Sequence, residues 1–168
     1  KSQWEKYASK RLVNTKYLFV YLPYNTNNVE LIYKTARKIA NHKRLKVVTY
    51  SAELFNSRYA DKTIKLCSPG DILSLILNAD YVVTNSFHGT AFSINLNKQF
   101  SVYMPSHFST RIESILKLCG LEWRKQSGLI DDEDINISIN YADINRVLIG
   151  ERKKAHDFLE MAIKNVSE

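Results

Sequence analysis

Apolar positions fall into short unbroken runs separated by longer amphipathic stretches. Tyr17 to Leu22 is a run of aromatic, β-branched and aliphatic residues halted by Pro23 and the Asn-rich segment Asn25 to Asn28, and it predicts a buried strand. From Val29 to Ile39 the apolar positions move to Leu31, Ile32, Thr35, Ala36 and Ile39, the spacing of one helix face. Lys46 to Tyr50 then returns to the strand pattern. Strand, helix and strand in close succession make a βαβ unit, whose crossover is right-handed and whose strands are parallel.

The alternation continues to the end of the chain. Ser51 to Leu66, with Phe55, Tyr59 and Ile64 unevenly spaced, predicts loop with short helix. Ser68-Pro69-Gly70-Asp71 is a helix start, with Ser68 as N-cap, Pro69 in the first turn and Asp71 near the positive helix end, and the helix runs to about Asn78. Tyr81 to Thr84 is a β-branched strand, and Asn85 to Gly89 turns it into a helix reaching about Asn97. Phe100 to Met104 predicts another strand, Pro105 to Phe108 a loop, and Thr110 to Glu113 a helix start with capping-box spacing, ended by Gly120. Asp131 to Asp134 reads as an acidic surface loop, and Ala142 to Ile163 as a long helix with Gly150 as its weak point. At the front, Ser2 and Glu5 have capping-box spacing for a helix reaching Arg11, with Trp4 and Tyr7 on one face. Together these elements specify an α/β fold: a three-layer sandwich with a mainly parallel sheet, as a single domain over residues 1–168.

Composition narrows the possibilities. With 45% hydrophobic and 24% charged residues the chain has ordinary globular make-up. No apolar run approaches the roughly 20 residues of a membrane-spanning helix, and the first ten residues lack a signal-peptide core, so the expected location is the cytoplasm. Cys67 and Cys119 lack the spacing of a zinc or redox motif and are expected to be buried thiols, with no metal site. The excess of 24 Lys and Arg over 17 Asp and Glu favours anionic partners. The basic residues Lys34, Arg37, Lys38, Lys43, Arg44 and Lys46 are dispersed along a solvated helix face and its exit, which argues against nucleic acid.

In open parallel sheets ligands bind outside the carboxyl ends of the strands, where helix N-termini present free N–H groups. Asn85, Ser86, His88 and Thr90 crowd just past such an end, and Gly89 would let backbone approach a ligand. An anion suits this place: His88 can hydrogen-bond it or exchange a proton near neutral pH, and Arg111 can clamp it. His107 is near enough in sequence to join them, whereas Asp80 lies at the far strand end and His42 and His156 on polar helix ends. The same residues also fit a purely structural role, in which Asn85 and Ser86 cap a helix and His88 is packed. The Gly-rich dinucleotide fingerprint, the P-loop, the zinc-protease motif and the hydrolase elbow are all absent from the sequence.

The strings Ser68-Pro69-Gly70-Asp71 and Ala79 to Ile94, which contains Thr84-Asn85-Ser86-Phe87-His88-Gly89-Thr90, resemble the polysaccharide pyruvyl transferase family. Trp4 ahead of Lys16 to Tyr21, Ser109 to Ile112 before an apolar helix, and Arg152 to Ala162 are similar to that family's carboxy-terminal half. The resemblance implies one Rossmann-like half of a GT-B-like fold, with the amino-terminal half and much of the acceptor site lying outside this chain. It implies transfer of pyruvate from phosphoenolpyruvate, as donor substrate, onto a hydroxyl of a sugar or lipid-linked glycan, with no further cofactor and no metal. His88 matches the family's active-site histidine, and Arg111 lies where a basic residue follows the next strand. Better-studied members carry Arg-x-His where this chain has Ser86-Phe87-His88, so one anion contact must come from elsewhere, either Arg111 or the other half. Glycosyl transfer from a nucleotide sugar on the same fold, and a non-catalytic polyanion-binding domain, are the alternatives.

Overall fold

The computed structural model describes residues 2–24, 26, 28–51, 57–106 and 109–166. The order of elements is α1 (Ser2–Glu5), β1 (Tyr17–Tyr21), α2 (Val29–Lys43), β2 (Lys46–Ser51), β3 (Lys62–Lys65), α3 (Pro69–Asn78), β4 (Tyr81–Thr84), α4 (Phe87–Asn95), β5 (Gln99–Tyr103) and α5 (Thr110–Cys119). A 3-10 turn (Glu122–Arg124), β6 (Lys125–Gln126), α6 (Asp132–Asn136) and α7 (Tyr141–Val166) complete the described residues. The six strands form one sheet in the order β3-β2-β1-β4-β5-β6, and every neighbouring pair is parallel. The expected α/β sandwich is therefore observed, and its strand order is that of the doubly wound Rossmann fold.

Two apolar layers cover the sheet. Phe19, Val82, Phe100 and Val102 pack with Leu75, Ile94, Ile112 and Leu116 of α3, α4 and α5 on one face. On the other, Leu18, Val20, Val47 and Val83 pack with Ile32, Ala36 and Ile39 of α2 and with Ile130 and Ile135. Full burial of each such side chain contributes about 1.5–3 kcal/mol, which is why the apolar runs were legible as inner strands. Asp80 sits at the amino end of β4, the far strand end as expected, where its Oδ2 accepts a hydrogen bond from the Tyr17 N–H at 3.1 Å.

Several expectations change. The segment expected as loop and short helix contains the edge strand β3, whose Lys62 and Lys65 are exposed; Phe55 lies outside the described residues. Helix α1 ends at Glu5 because the chain turns to lay Ser9 on the start of α3, its N–H donating to the Gly70 carbonyl at 3.0 Å. Trp4 meets Phe92 edge-on, whereas Tyr7 lies past the end of α1, so the two do not share a helix face. The capping box expected at Thr110 is not formed: Ser109 is the N-cap and already has helical dihedrals (φ −72°, ψ −27°), without the extended geometry a box needs. The acidic loop is helix α6, where Asp132, Glu133 and Asp134 complement the positive helix end and Ile135 anchors the turn in the core. Gly150 does not interrupt α7.

The dispersed basic face of α2 is a surface, with Lys34, Arg37 and Lys38 paired to Glu30, Asp61 and Asp132. Both cysteines are free thiols, Cys119 buried and Cys67 half-buried, and burial pushes both pKa values up. Arg124 is 1% exposed, a burial that no local pattern signals. Its guanidinium donates to the Tyr81 hydroxyl (3.3 Å), Gln99 Oε1 (3.1 Å) and the Ile137 carbonyl (2.6 Å), and stacks on Trp123. Desolvation pulls its pKa down, opposed by Tyr81 and Tyr141, yet an arginine remains cationic throughout the working pH range.

Candidate active site at the switch point of the sheet

The chain runs outward from β1 through β2 to β3 and then returns to place β4 beside β1, continuing to β5 and β6. Loops leaving β1 and β4 diverge at that reversal, which is where parallel sheets of this kind open a binding crevice. Two hydrogen bonds hold the crevice in shape. Thr84 Oγ1 donates to the Tyr21 carbonyl at 2.7 Å, and Asn85 Nδ2 donates to the Tyr24 carbonyl at 3.0 Å.

Helix α4 begins there with its N-terminus open. Ser86 is its N-cap, but the hydroxyl makes no capping hydrogen bond, and the first turn contains no acidic residue. The Ser86 N–H is taken by Thr84 Oγ1 at 3.1 Å, and the helical ladder begins with the Thr90 N–H on the Ser86 carbonyl at 2.9 Å. The N–H groups of Phe87, His88 and Gly89 are therefore the orphan donors of the first turn, with no partner among the described residues. Ser86 and Asn85 are each 1% exposed, and Ser86 Oγ and Asn85 Oδ1 are buried oxygens without a hydrogen-bond partner among the described residues. Buried polar groups are almost always satisfied, so two adjacent exceptions beside an open helix end make this the candidate site.

The expected site residues divide. His88 is exposed on the first turn, its ring set against Phe87 at 5.7 Å between centroids, and it has no hydrogen-bond partner among the described residues. Arg111, in the first turn of α5, places its guanidinium carbon 4.9 Å from the centre of the same Phe87 ring. Phe87, which sequence reasoning passed over, thus brings His88 and Arg111 together; an aromatic between polar residues gave no separate signal. Asn85 holds the β1 and β4 loops together. Thr90 is buried, and its hydroxyl donates back to the Ser86 carbonyl at 2.9 Å, so that donor is spent inside the helix. Gly89 serves packing rather than open ligand approach: a Cβ there would lie 2.3 Å from Thr84 Oγ1 and 2.9 Å from Tyr21 Cδ1. Its N–H still belongs to the open turn. His107 lies outside the described residues.

Beneath this rim, Tyr21 and Tyr50 pack ring against ring at 5.2 Å. Burial pushes both phenols up, Tyr50 to about 12, so they are neutral at physiological pH. A cleft of about 380 Å³ beside Phe87 and Arg111 is floored by Ile115 and Leu118. A larger cleft of about 480 Å³ opens between the start of α2 and the ends of β5 and β6, with Asn28, Lys125 and Gln126 on its walls. None of its described lining residues is a histidine, and it shares none of them with the start of α4. Among the described residues no cluster of three or more His, Cys, Asp and Glu side chains could hold a metal ion. No helix among them is long and apolar enough to cross a membrane.

Comparison with known proteins bears on this geometry. A family model described as polysaccharide pyruvyl transferase matches residues 4–107, more than half of the chain and inclusive of α4. No curated protein matches the sequence. Among solved structures, a putative UDP-N-acetylglucosamine 2-epimerase from Listeria monocytogenes aligns at 12% identity with a TM-score of 0.51, over 91% of this chain and 43% of that one. The S. aureus MnaA–UDP co-structure aligns at 14% identity and TM-score 0.48, covering 90% of this chain and 41% of its own. The glycosyltransferase SnogD from Streptomyces nogalater aligns at 12% and 0.45, covering 92% and 43%. At these identities the likeness to the epimerase shows the fold alone, and the chain spans less than half the length of each of these proteins.

Proposed function

Because the chain belongs to the polysaccharide pyruvyl transferase family, we propose that it forms the carboxy-terminal half of a GT-B-like enzyme that moves pyruvate from phosphoenolpyruvate onto a sugar hydroxyl as a ketal. The observation that carries this reading is the open N-terminus of α4, with its three orphan N–H groups and the unpartnered Ser86 hydroxyl. Phosphoenolpyruvate brings a phosphate and a carboxylate, and the residues framing the site (Asn85 to His88, Thr110 and Arg111) include no carboxylate to repel either.

The reaction needs an acid to protonate the methylene carbon of the donor. A sugar hydroxyl then adds to the neighbouring carbon and gives up its proton, and a second hydroxyl displaces inorganic phosphate to close the ketal. His88, exposed and without a hydrogen-bond partner among the described residues, supplies or takes those protons. The α4 N–H groups and Ser86 hold the phosphate, and Arg111 holds the carboxylate through its two-pronged guanidinium. The cleft of about 480 Å³ at Asn28, Lys125 and Gln126 is the space this reading assigns to a sugar or lipid-linked glycan acceptor. A second Rossmann-like half would close the crevice from the other side in the cytoplasm during surface or exopolysaccharide synthesis. The 168 residues alone are then inactive, since one wall cannot hold both reactants in attack geometry.

Calorimetry and thermal shift on a protein containing both halves test the proposal. Phosphoenolpyruvate should bind and stabilise, and Arg111→Lys should weaken it, because the charge stays but the planar fork is lost. A response to UDP-, GDP- or CMP-sugars with none to phosphoenolpyruvate would replace pyruvyl by glycosyl transfer. Salt-steep binding of any polyanion, indifferent to His88→Asn, would mark a non-catalytic binding domain.

A further inference from the structure

Arg111 stands in an electrostatically unfavourable place. It lies in the first turn of α5, where the helix dipole is positive and acidic side chains are preferred. It makes no ion pair with any described residue, whereas Arg37 and Arg146 each find a carboxylate. What holds it is the face of Phe87, 4.9 Å from the guanidinium carbon. Phe87 is itself the first residue of α4, half-buried among the residues under that helix, and its ring also meets the His88 imidazole. One aromatic ring therefore joins the start of α5 to the start of α4, and two positive helix ends and an unpaired cation converge there.

From this geometry we infer that Phe87 is a positioning residue: its ring holds the Arg111 guanidinium beside the open N-terminus of α4, completing a site for a phosphate or carboxylate group. The inference rests on the anion-binding reading of that helix end and does not require phosphoenolpyruvate to be the donor.

A double-mutant cycle with inorganic phosphate as the probe, on the protein containing both halves, tests this. Phosphate affinity is read by calorimetry and by amide shifts of Phe87, His88 and Gly89. Phe87→Leu, which keeps apolar bulk but removes the π face, should weaken phosphate about two- to fivefold, the scale of an exposed cation–π contact. Phe87→Tyr should restore wild-type affinity. In an Arg111→Gln background Phe87→Leu should change nothing further, since the two act as one. Equal loss with and without Arg111, equal loss in Phe87→Tyr, or no phosphate binding by the wild type would each overturn the assignment. Phosphate binding that depends on Phe87 and Arg111 together, with no response to phosphoenolpyruvate, would uphold it while removing the proposed donor. Melting temperatures recorded alongside separate a packing defect from the affinity change.

Discussion

Helices α3 and α4 both begin at the carboxyl rim of the sheet, and both have serine at the N-cap. In α3 the end is closed from within. Ser68 Oγ accepts from the Asp71 N–H at 3.2 Å, while Asp71 Oδ2 accepts from the Ser68 N–H at 2.9 Å and the Ser68 hydroxyl at 2.7 Å. Tyr7 and Ser9 cover it as well, close enough that a Cβ on Gly70 would touch both at 3.0 Å. In α4 the serine is deeper but makes none of these bonds, and there is no acid at the third position. The same residue at equivalent points of one fold is consumed by structure in one helix and kept uncommitted in the other. The difference singles out α4 as the candidate site on grounds independent of the motif.

The largest effect that sharpens this contrast is expected from His88→Asn in a protein containing both halves. Turnover should fall by roughly 10² to 10⁴ with the melting temperature almost unchanged, because the exposed ring makes no hydrogen bond with the described residues. Wild-type turnover in this variant would sink the catalytic assignment. Gly89→Ala comes next. Its methyl would collide with Thr84, which is tied to both Tyr21 and the Ser86 N–H, so a loss of about 1–3 kcal/mol in denaturant unfolding is expected.

Ser68→Ala and Ser86→Ala should then separate. Removing Ser68 should cost about 0.5–2 kcal/mol of stability, the range for a lost N-cap, whereas removing the unpartnered Ser86 hydroxyl should be close to neutral and weaken anion binding. Equal destabilisation by the two would show that α4 is capped after all. The smallest effect is one of pH. The hydrogen bonds from Ser68, and then Ser9, hold the Asp71 carboxyl below its ordinary value of 3.8. A depressed carboxylate contributes stability that is fully present above that value and is lost as pH falls through the lower folded value. Acid titration of unfolding should therefore show a small loss below about pH 4 that Asp71→Asn abolishes.

The sequence revealed the inner strands because residues such as Val82, Val83 and Phe100 must be apolar on both faces. It revealed α3 because the signals of its cap are local. Strand β3 escaped because Lys-Thr-Ile-Lys at a sheet edge need bury little, and β6 because two residues carry no period. Of the candidate site, the placement of His88 and Arg111 beside one turn was readable from strand ends alone. That Ser86 leaves its helix uncapped, that Gly89 answers to Thr84, and that Phe87 links two helices depend on contacts between elements, which no single-chain pattern encodes. Buried Arg124 belongs to the same class, since its partners Tyr81, Gln99 and Ile137 are distant in sequence.

That arginine also sets how the molecule comes apart. By binding β4, β5 and the segment before α7 at once, it joins the last stretch of chain to the central sheet in a single cooperative unit. Gln99 extends the link, since its Oε1 also accepts from the Ile139 N–H at 2.8 Å. Beyond Leu148, by contrast, α7 runs out with Phe158, Leu159 and Met161 exposed. Amide hydrogen exchange should accordingly be slow and simultaneous for β4, β5 and Ile139, whose protons are released only when the whole domain unfolds. Exchange in the distal half of α7 should proceed through local opening, so one helix would carry two kinetically separate populations of protons.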